Sequence, residues 1–277
     1  MKYEVFLPDI KLSSIIKCYV VIYDFTLLSD MLFLPNGGNF IIFNRGITGY
    51  SLLNNNNKKY QIPEGYSASI KTAKSKKNIL NLESIPQVEP AVVILVELLP
   101  IGFYKLFKKD AASLNNHYLP LETTVINKYF SKLYMHKSME QDICYLDDAF
   151  LQMYNDQNNS REFIEDILER IEEYNYEVTV EELAQEFACS RRTIERQFKK
   201  FIGLSPKKFI FVCKFYQIFM EYISDGKKFN DTQYIYNDNA HLNKVFHNIV
   251  GLSPSQTFED INKKHILNVY QLKVSGV

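Results

Sequence analysis

The chain has 277 residues, 46% of them hydrophobic, which is enough for two domains with separate cores and too apolar for a disordered polymer. Its 32 Lys and Arg balance 32 Asp and Glu, so any nucleic-acid footprint has to come from a local excess of positive charge. The four cysteines, Cys18, Cys144, Cys189 and Cys213, form no C-x-x-C pair, which argues against a zinc site or a disulfide scaffold and fits a reducing compartment.

Residues 1–10 lack a basic region followed by an apolar stretch. The most apolar run, Ala91 to Leu99, is far below membrane-spanning length and contains Glu97. A cytoplasmic protein without membrane contact is expected. From Val5 to about Leu99 short apolar runs alternate with turn residues, and Ile15–Thr26, Met31–Leu34, Asn39–Phe43 and Ala91–Glu97 read as strands. Asn36-Gly37-Gly38 and the polar run from Asn54 to Lys59 read as hairpin connections.

After Pro100 the period changes. Gly102–Lys109, Leu121–Met135 and Tyr145–Tyr154 carry apolar residues at helical spacing. Ser160 reads as the N-cap of a further helix with Phe163, Ile164, Ile167, Leu168, Ile171 and Tyr174 along one side. The polar stretch from Tyr154 to Ser160 reads as a linker. The expected division is a β-rich, then helical sensor or dimerisation domain over 1–155, a linker helix over 156–175, and an all-α domain over 176–277. The fold class is α+β.

Thr179-Val180-Glu181-Glu182 is a capping box, so a helix starts there with Val180, Leu183, Ala184 and Phe187 as its apolar face. Ala188-Cys189-Ser190 breaks the pattern, and Ser190 caps a second helix. In that helix Ile194, Phe198 and Phe201 lie at i, i+4 and i+7. Arg191, Arg192, Glu195, Arg196 and Lys199 therefore face outward. Helix, tight turn and basic helix is a pattern that enters a DNA major groove, where Arg pairs well with guanine.

Charge supports this reading. From Glu177 to the end there are 14 basic and 11 acidic residues, while Arg191 to Lys214 alone holds 8 basic residues against Glu195. The stretch also repeats at an offset of 48 residues: Phe198, Gly203, Leu204, Ser205 and Pro206 recur as Phe246, Gly251, Leu252, Ser253 and Pro254. In each copy Gly suits the left-handed residue that ends a helix and Ser-Pro the start of the next. Between the copies Pro206–Ser224 reads as one buried helix, apolar at Phe209, Ile210, Val212, Phe215, Ile218, Phe219, Tyr222 and Ile223. Its length, roughly 28 Å at about 1.5 Å per residue, approaches one turn of B-DNA at about 34 Å.

Ala184, Ser190 to Ile194, Arg196, Phe198 and Gly203-Leu204-Ser205-Pro206, followed by Phe246 and Gly251-Leu252-Ser253-Pro254, resemble the AraC/XylS-type regulators over about 100 residues. The resemblance implies an all-helical DNA-binding domain of two helix-turn-helix units. Leu34 to Gly38 and Pro100 to Phe107 are more weakly similar to sensor-like domains that precede this module in some Bacteroidetes regulators. The second copy departs from the family pattern: Asp231-Thr232 and Ile235-Tyr236 stand where an apolar-Ala pair and a Gly-Phe are usual, and a one-residue shift would place Phe229 in the apolar position.

The expected DNA contacts are Arg191, Arg192, Arg196, Lys199, Lys200, Lys207 and Lys208 in the first copy. Glu195 either accepts from a cytosine amino group or pairs within its own helix. In the second copy Asn239, His241, Asn243 and Lys244 are the candidates, with less charge and so less electrostatic affinity. His241, His247 and His265 lack the convergence of a metal site, and the aromatic residues of the first domain read as core rather than as a ligand pocket. No metal, no cofactor and no enzymatic activity are expected, since no phosphate loop or nucleophile–base arrangement is visible. The expected partners are double-stranded DNA, a small-molecule effector of the first domain, and a second copy of the chain. The alternative is a non-enzymatic interaction module that no longer reads DNA by itself.

Overall fold

The computed structural model describes residues 3–23, 36–53, 58–62, 67–72, 79–84, 91–114, 118–225, 243–247 and 253–257. The strands among them are β1 (Tyr3–Phe6), β2 (Ile16–Ile22), β3 (Asn39–Arg45), β4 (Ile47–Leu53), β5 (Lys58–Ile62), β6 (Ser67–Thr72), β7 (Ile79–Ser84), β8 (Val92–Leu98) and β9 (Tyr118–Pro120). They form one antiparallel sheet in the order β1-β2-β8-β3-β6-β9 and a second in the order β5-β4-β7.

Three of the four expected strands are present as β2, β3 and β8, while Met31–Leu34 lies outside the described residues. Asn54–Asn57 of the expected connection lie outside the described residues, while Lys58 and Lys59, expected in it, belong to β5, which pairs antiparallel with β4 up to Leu53↔Lys58. Both faces of the central strands are buried, which is why β8 reads as a continuous apolar run. One face carries Tyr19, Val21, Ile41, Phe43, Ile94 and Val96 against Phe130, Leu146 and Phe150. The other carries Cys18, Val20, Ile22, Phe40, Val93 and Leu95. Glu97, on that second face, is a carboxylate only 2% exposed.

Helices follow the sheet strands: α1 (Gly102–Phe107), α2 (Met139–Asp156), α3 (Phe163–Glu173), α4 (Val180–Glu186), α5 (Arg191–Phe201) and α6 (Pro206–Asp225). The segment expected as helix over Leu121–Met135 is a short α-turn at Thr123–Val125 and a π-helical turn over Ile126–Phe130. Helix α2 is longer than its sequence pattern suggested, because Ser138 accepts from the Gln141 backbone and starts it early.

Two expectations for α3 are corrected. Ser160 is not its N-cap: the Ser160 carbonyl accepts from Lys105 Nζ at 2.5 Å, and the cap is Glu162, locked to Glu165 in a reciprocal capping box. Tyr174, expected on the apolar side, ends the helix and is 45% exposed. Ile164, Ile167 and Ile171 are fully buried, in one cluster with Leu183, Ala184, Ile194, Phe198, Phe201 and Phe209. Helices α3, α4 and α5 thus share a core, and Ile101 from the β8–α1 junction is part of it.

Candidate functional site

The hydrogen bonds expected of the helix starts are formed. Thr179 accepts from the Glu182 backbone at 3.2 Å while Glu182 accepts from the Thr179 backbone at 2.7 Å. Three residues of turn, Phe187 to Cys189, with Ala188 at φ 47°, bring the chain to Ser190, which accepts from the Thr193 backbone at 3.1 Å. Ile194, Phe198 and Phe201 are at most 1% exposed. Their burial fixes the rotation of α5 about its axis, so the opposite sector, Arg192, Arg196, Lys199 and Lys200, faces solvent. Arg192, Arg196 and Lys200 follow at i, i+4 and i+8, one ridge along the helix.

Arg191 and Glu195 are exposed on one flank of that ridge. Arg191 Nη1 lies 2.5 Å from Glu181 Oε1, an ion pair across the turn between α4 and α5. For Arg191 to contact DNA it has to leave that carboxylate. Lys199 is exposed beside Glu195. Lys200 is held: its Nζ lies 5.0 Å from the ring centroid of Tyr104 and 4.5 Å from that of Phe201. On the other flank Thr193 bonds Ser190, and Gln197, which sequence reasoning passed over, has a buried Oε1 without a hydrogen-bond partner among the described residues.

Helix α5 ends at Gly203, whose φ of +76° is the left-handed conformation expected there, and whose N–H donates to the Phe198 carbonyl at 2.8 Å. Ser205 then accepts from the Lys208 backbone and α6 begins at Pro206. Lys207 and Lys208, in its first turn, are exposed. The apolar side of α6 buries Phe209, Ile210, Val212, Cys213, Phe215 and Phe219, while Phe211 is 39% exposed and the side chains of Tyr222 and Ile223 lie outside the described residues.

In the second copy, Asn239 and His241 lie outside the described residues, and Asn243 and Lys244 are exposed on a helix over 243–247. Val245 and Phe246 of that helix are 3% exposed, and the Phe246 ring packs 5.0 Å from Phe215 and 6.4 Å from Phe219. Ser253 and Gln256 form a capping box of their own at 3.2 and 3.1 Å. Phe246 and Ser253 therefore do in this copy what Phe198 and Ser205 do in the first. Among the described residues no group of three metal-ligating side chains converges, and no helix is long and apolar enough to cross a membrane.

Among the described residues, the N-terminal sheet region with α1 touches this assembly at two places. At α5, the Tyr104 ring meets Phe201 edge-on at 4.4 Å, and the Gly203 backbone lies so near Ala111 that a Cβ there would come within 2.5 Å of its carbonyl oxygen. The side chain of Lys105 is 3% exposed, and its Nζ reaches Glu165 of α3 at 2.7 Å. At α6, Gly37 lies against Phe209 and Cys213, the Cys213 thiol donates to the Asn36 carbonyl at 3.6 Å, and Lys17 Nζ donates to Tyr216 Oη at 3.3 Å and to Glu97 at 3.0 Å. Asn36 Nδ2 also donates to Glu97. Burial works against the Lys17 ammonium, but Glu97 and Tyr216 outweigh it and its pKa is raised. The Cys18 thiol, buried beside Glu97, is pushed up to about 12.

Residues 183–260 match a helix-turn-helix domain family, and residues 164–201 match a second helix-turn-helix family that takes in α3. No curated protein matches the chain. Among solved structures it is similar to ToxT from Vibrio cholerae, at 12% identity over 94% of this chain and 99% of that one, with a TM-score of 0.44. ToxT bound to (E)-4-(8-methylnaphthalen-1-yl)but-3-enoic acid gives 14% identity over 94% and 100% of the two chains, with a TM-score of 0.44. ToxT with an unsaturated fatty acid gives 13% over 92% and 93%, with a TM-score of 0.40.

Proposed function

We propose, for a chain whose residues 183–260 carry an AraC-type helix-turn-helix domain, that it is a sequence-specific transcriptional regulator with α5 as its principal reading helix. The observation that carries this is the rotation of α5: one stripe is sealed in the core of three helices, and Arg192, Arg196 and Lys199 are presented together on the opposite side. The first turn of α5 supplies groups for base edges, while Lys199, Lys207 and Lys208 supply charge for phosphates. The second copy, with Asn243 and Lys244, adds a weaker contact in the next groove segment. The N-terminal domain, over 1–155, senses a small molecule or dimerises. Its contacts with both α5 and α6 support this role, because a ligand that prefers one arrangement of those contacts alters DNA affinity by the same free energy. The four free thiols support a cytoplasmic location.

The test is selection from a random duplex pool followed by anisotropy with the selected sequence. An Arg192→Ala, Arg196→Ala double variant is expected to lose about 2–6 kcal/mol of specific affinity, at about 1–3 kcal/mol per good base contact. Full affinity and full sequence preference in that variant would remove α5 as the reader. A wild-type chain that selects no sequence at all would favour a partner-binding module.

A further inference from the structure

The ridge Arg192, Arg196, Lys200 does not stop at the end of α5. Lys200 leans over the ring of Tyr104, a residue of the N-terminal domain, and Lys108 of that domain leans over the same ring, each Nζ 5.0 Å from its centroid. Lys108 is the C-cap of α1, and its left-handed backbone, φ 50°, turns its side chain back toward Tyr104 one turn earlier. Two ammonium groups from two domains are thus held within about 10 Å of each other by one aromatic ring, where cations are attracted to the ring face.

The nearby carboxylates are spent on other partners. Glu165 is paired with Lys105 at 2.7 Å, and Glu162 is held in the capping box of α3. Lys108 donates to the neutral Asn159 Oδ1 at 2.5 Å and keeps two further donors. Among the described residues neither Lys108 nor Lys200 has a carboxylate at ion-pair distance. Desolvation and the charges of Lys105 and Lys200 lower the Lys108 pKa, with Glu162 opposing. Such a pair is strained by repulsion until an anion arrives, and it sits at the end of a basic ridge where a helix lying in a major groove meets the sugar-phosphate backbone.

We propose that the N-terminal domain binds DNA directly: Lys108, set beside Lys200 by Tyr104, forms with it a seat for adjacent phosphates of one strand at the edge of the groove that α5 enters. The proposal rests on the DNA-binding reading above and extends the footprint beyond the helix-turn-helix units. The seat also makes affinity depend on how the two domains are docked, since Lys108 reaches the strand only while Tyr104 lies on Phe201.

The full chain is titrated against a duplex it has selected from a random pool and against a mixed-sequence duplex of equal length, over a range of salt. Lys108→Gln is expected to weaken binding three- to tenfold on the selected duplex and to flatten the slope of log K against log salt by about 0.9, the loss of one phosphate contact. Lys108→Arg keeps the slope, and thermal melting shows both variants folded. Lys200→Gln gives a loss of the same kind. Unchanged affinity and slope in Lys108→Gln, or lost affinity with an unchanged slope, overturns the proposal while leaving α5 as the reader. A wild-type chain that binds neither duplex removes the DNA-binding reading itself.

Discussion

The two places where the N-terminal sheet region meets the helix-turn-helix assembly differ in what crosses between them. At the first, Tyr104 lies on Phe201, Gly203 on Ala111, and Ile101 is inserted into the core of the first unit, with the buried Lys105–Glu165 pair beside them. At α6 the contact is a polar cluster around one buried carboxylate, Glu97, reached by Lys17, Asn36 and Cys18, with Tyr216 joined through Lys17. A buried ion pair is favourable only in one geometry and costly when half broken, and each place has one, Lys105–Glu165 at the first and Lys17–Glu97 at the second. The first seam ties α5, the helix proposed as the reader, to the N-terminal region. The second reaches α6, the element that leads to the second copy, through the Lys17–Tyr216 and Cys213–Asn36 hydrogen bonds.

Gly203→Val attacks the first seam hardest. Its left-handed backbone costs a non-glycine residue about 1–2 kcal/mol, more for a β-branched one. The new Cβ also meets the Ala111 carbonyl oxygen at 2.5 Å, and backbone cannot step aside as a flexible side chain does. A loss of about 3–4 kcal/mol in denaturant unfolding is expected. A loss of only about 1–2 kcal/mol, the backbone cost alone, would mean that the two regions part there without resistance.

The buried lysines compare the seams directly. Lys105→Met leaves Glu165 without its cation and the Ser160 carbonyl without its donor, and is expected to cost about 3 kcal/mol. Lys17→Met leaves Glu97 buried with only Asn36 and Cys18 as donors, but the Lys17 side chain is 41% exposed, so water screens part of what is lost and about 2 kcal/mol is expected. The sharper difference is in DNA binding: Lys17→Met loosens α6 and should reduce the preference contributed by the second copy more than that of the first. Equal loss at both half-sites in a base-by-base substitution series would contradict the division of labour between the seams.

The first unit was legible because its signals are short-range. The Thr179–Glu182 box, the Ser190 cap and the stripe Ile194, Phe198, Phe201 each follow from residues three or four apart. The seams were not legible, because they join residues distant in the chain. Glu97 reads as a charge interrupting an apolar run, Lys105 as a solvated helix residue, and nothing local tells that each is buried against a partner. The cap of α3 failed for the same reason: Ser is the better N-cap by propensity, but Lys105, 55 residues away, takes the Ser160 carbonyl and the helix starts two residues later at the Glu162–Glu165 box. Lys200 was expected as a DNA contact at the end of its helix, and its seat on Tyr104, far away in the chain, has no local signal.

Thiol alkylation separates the two seams without disturbing either. Cys144, on the exposed side of α2, is expected to react readily with iodoacetamide in the native chain near neutral pH. Cys213 and Cys18 sit inside the α6 seam, and burial raises both thiol pKa values, so each lacks both access and thiolate. For Cys18 the sign is that of a group bound more tightly to its proton in the folded state: the stabilisation is complete below pH 9.0 and is lost as pH rises toward about 12. Slow labelling of Cys18 and Cys213 therefore reports opening of this seam and not global unfolding, provided it is faster than the labelling expected from unfolding stability. Lys17→Met should accelerate Cys213 labelling about tenfold or more, for at least about 1.4 kcal/mol less resistance to opening. Lys105→Met, at the other seam, should raise it only as far as global stability falls. If both variants expose Cys213 equally once matched for stability, the two seams open as one unit and α6 has no separate freedom.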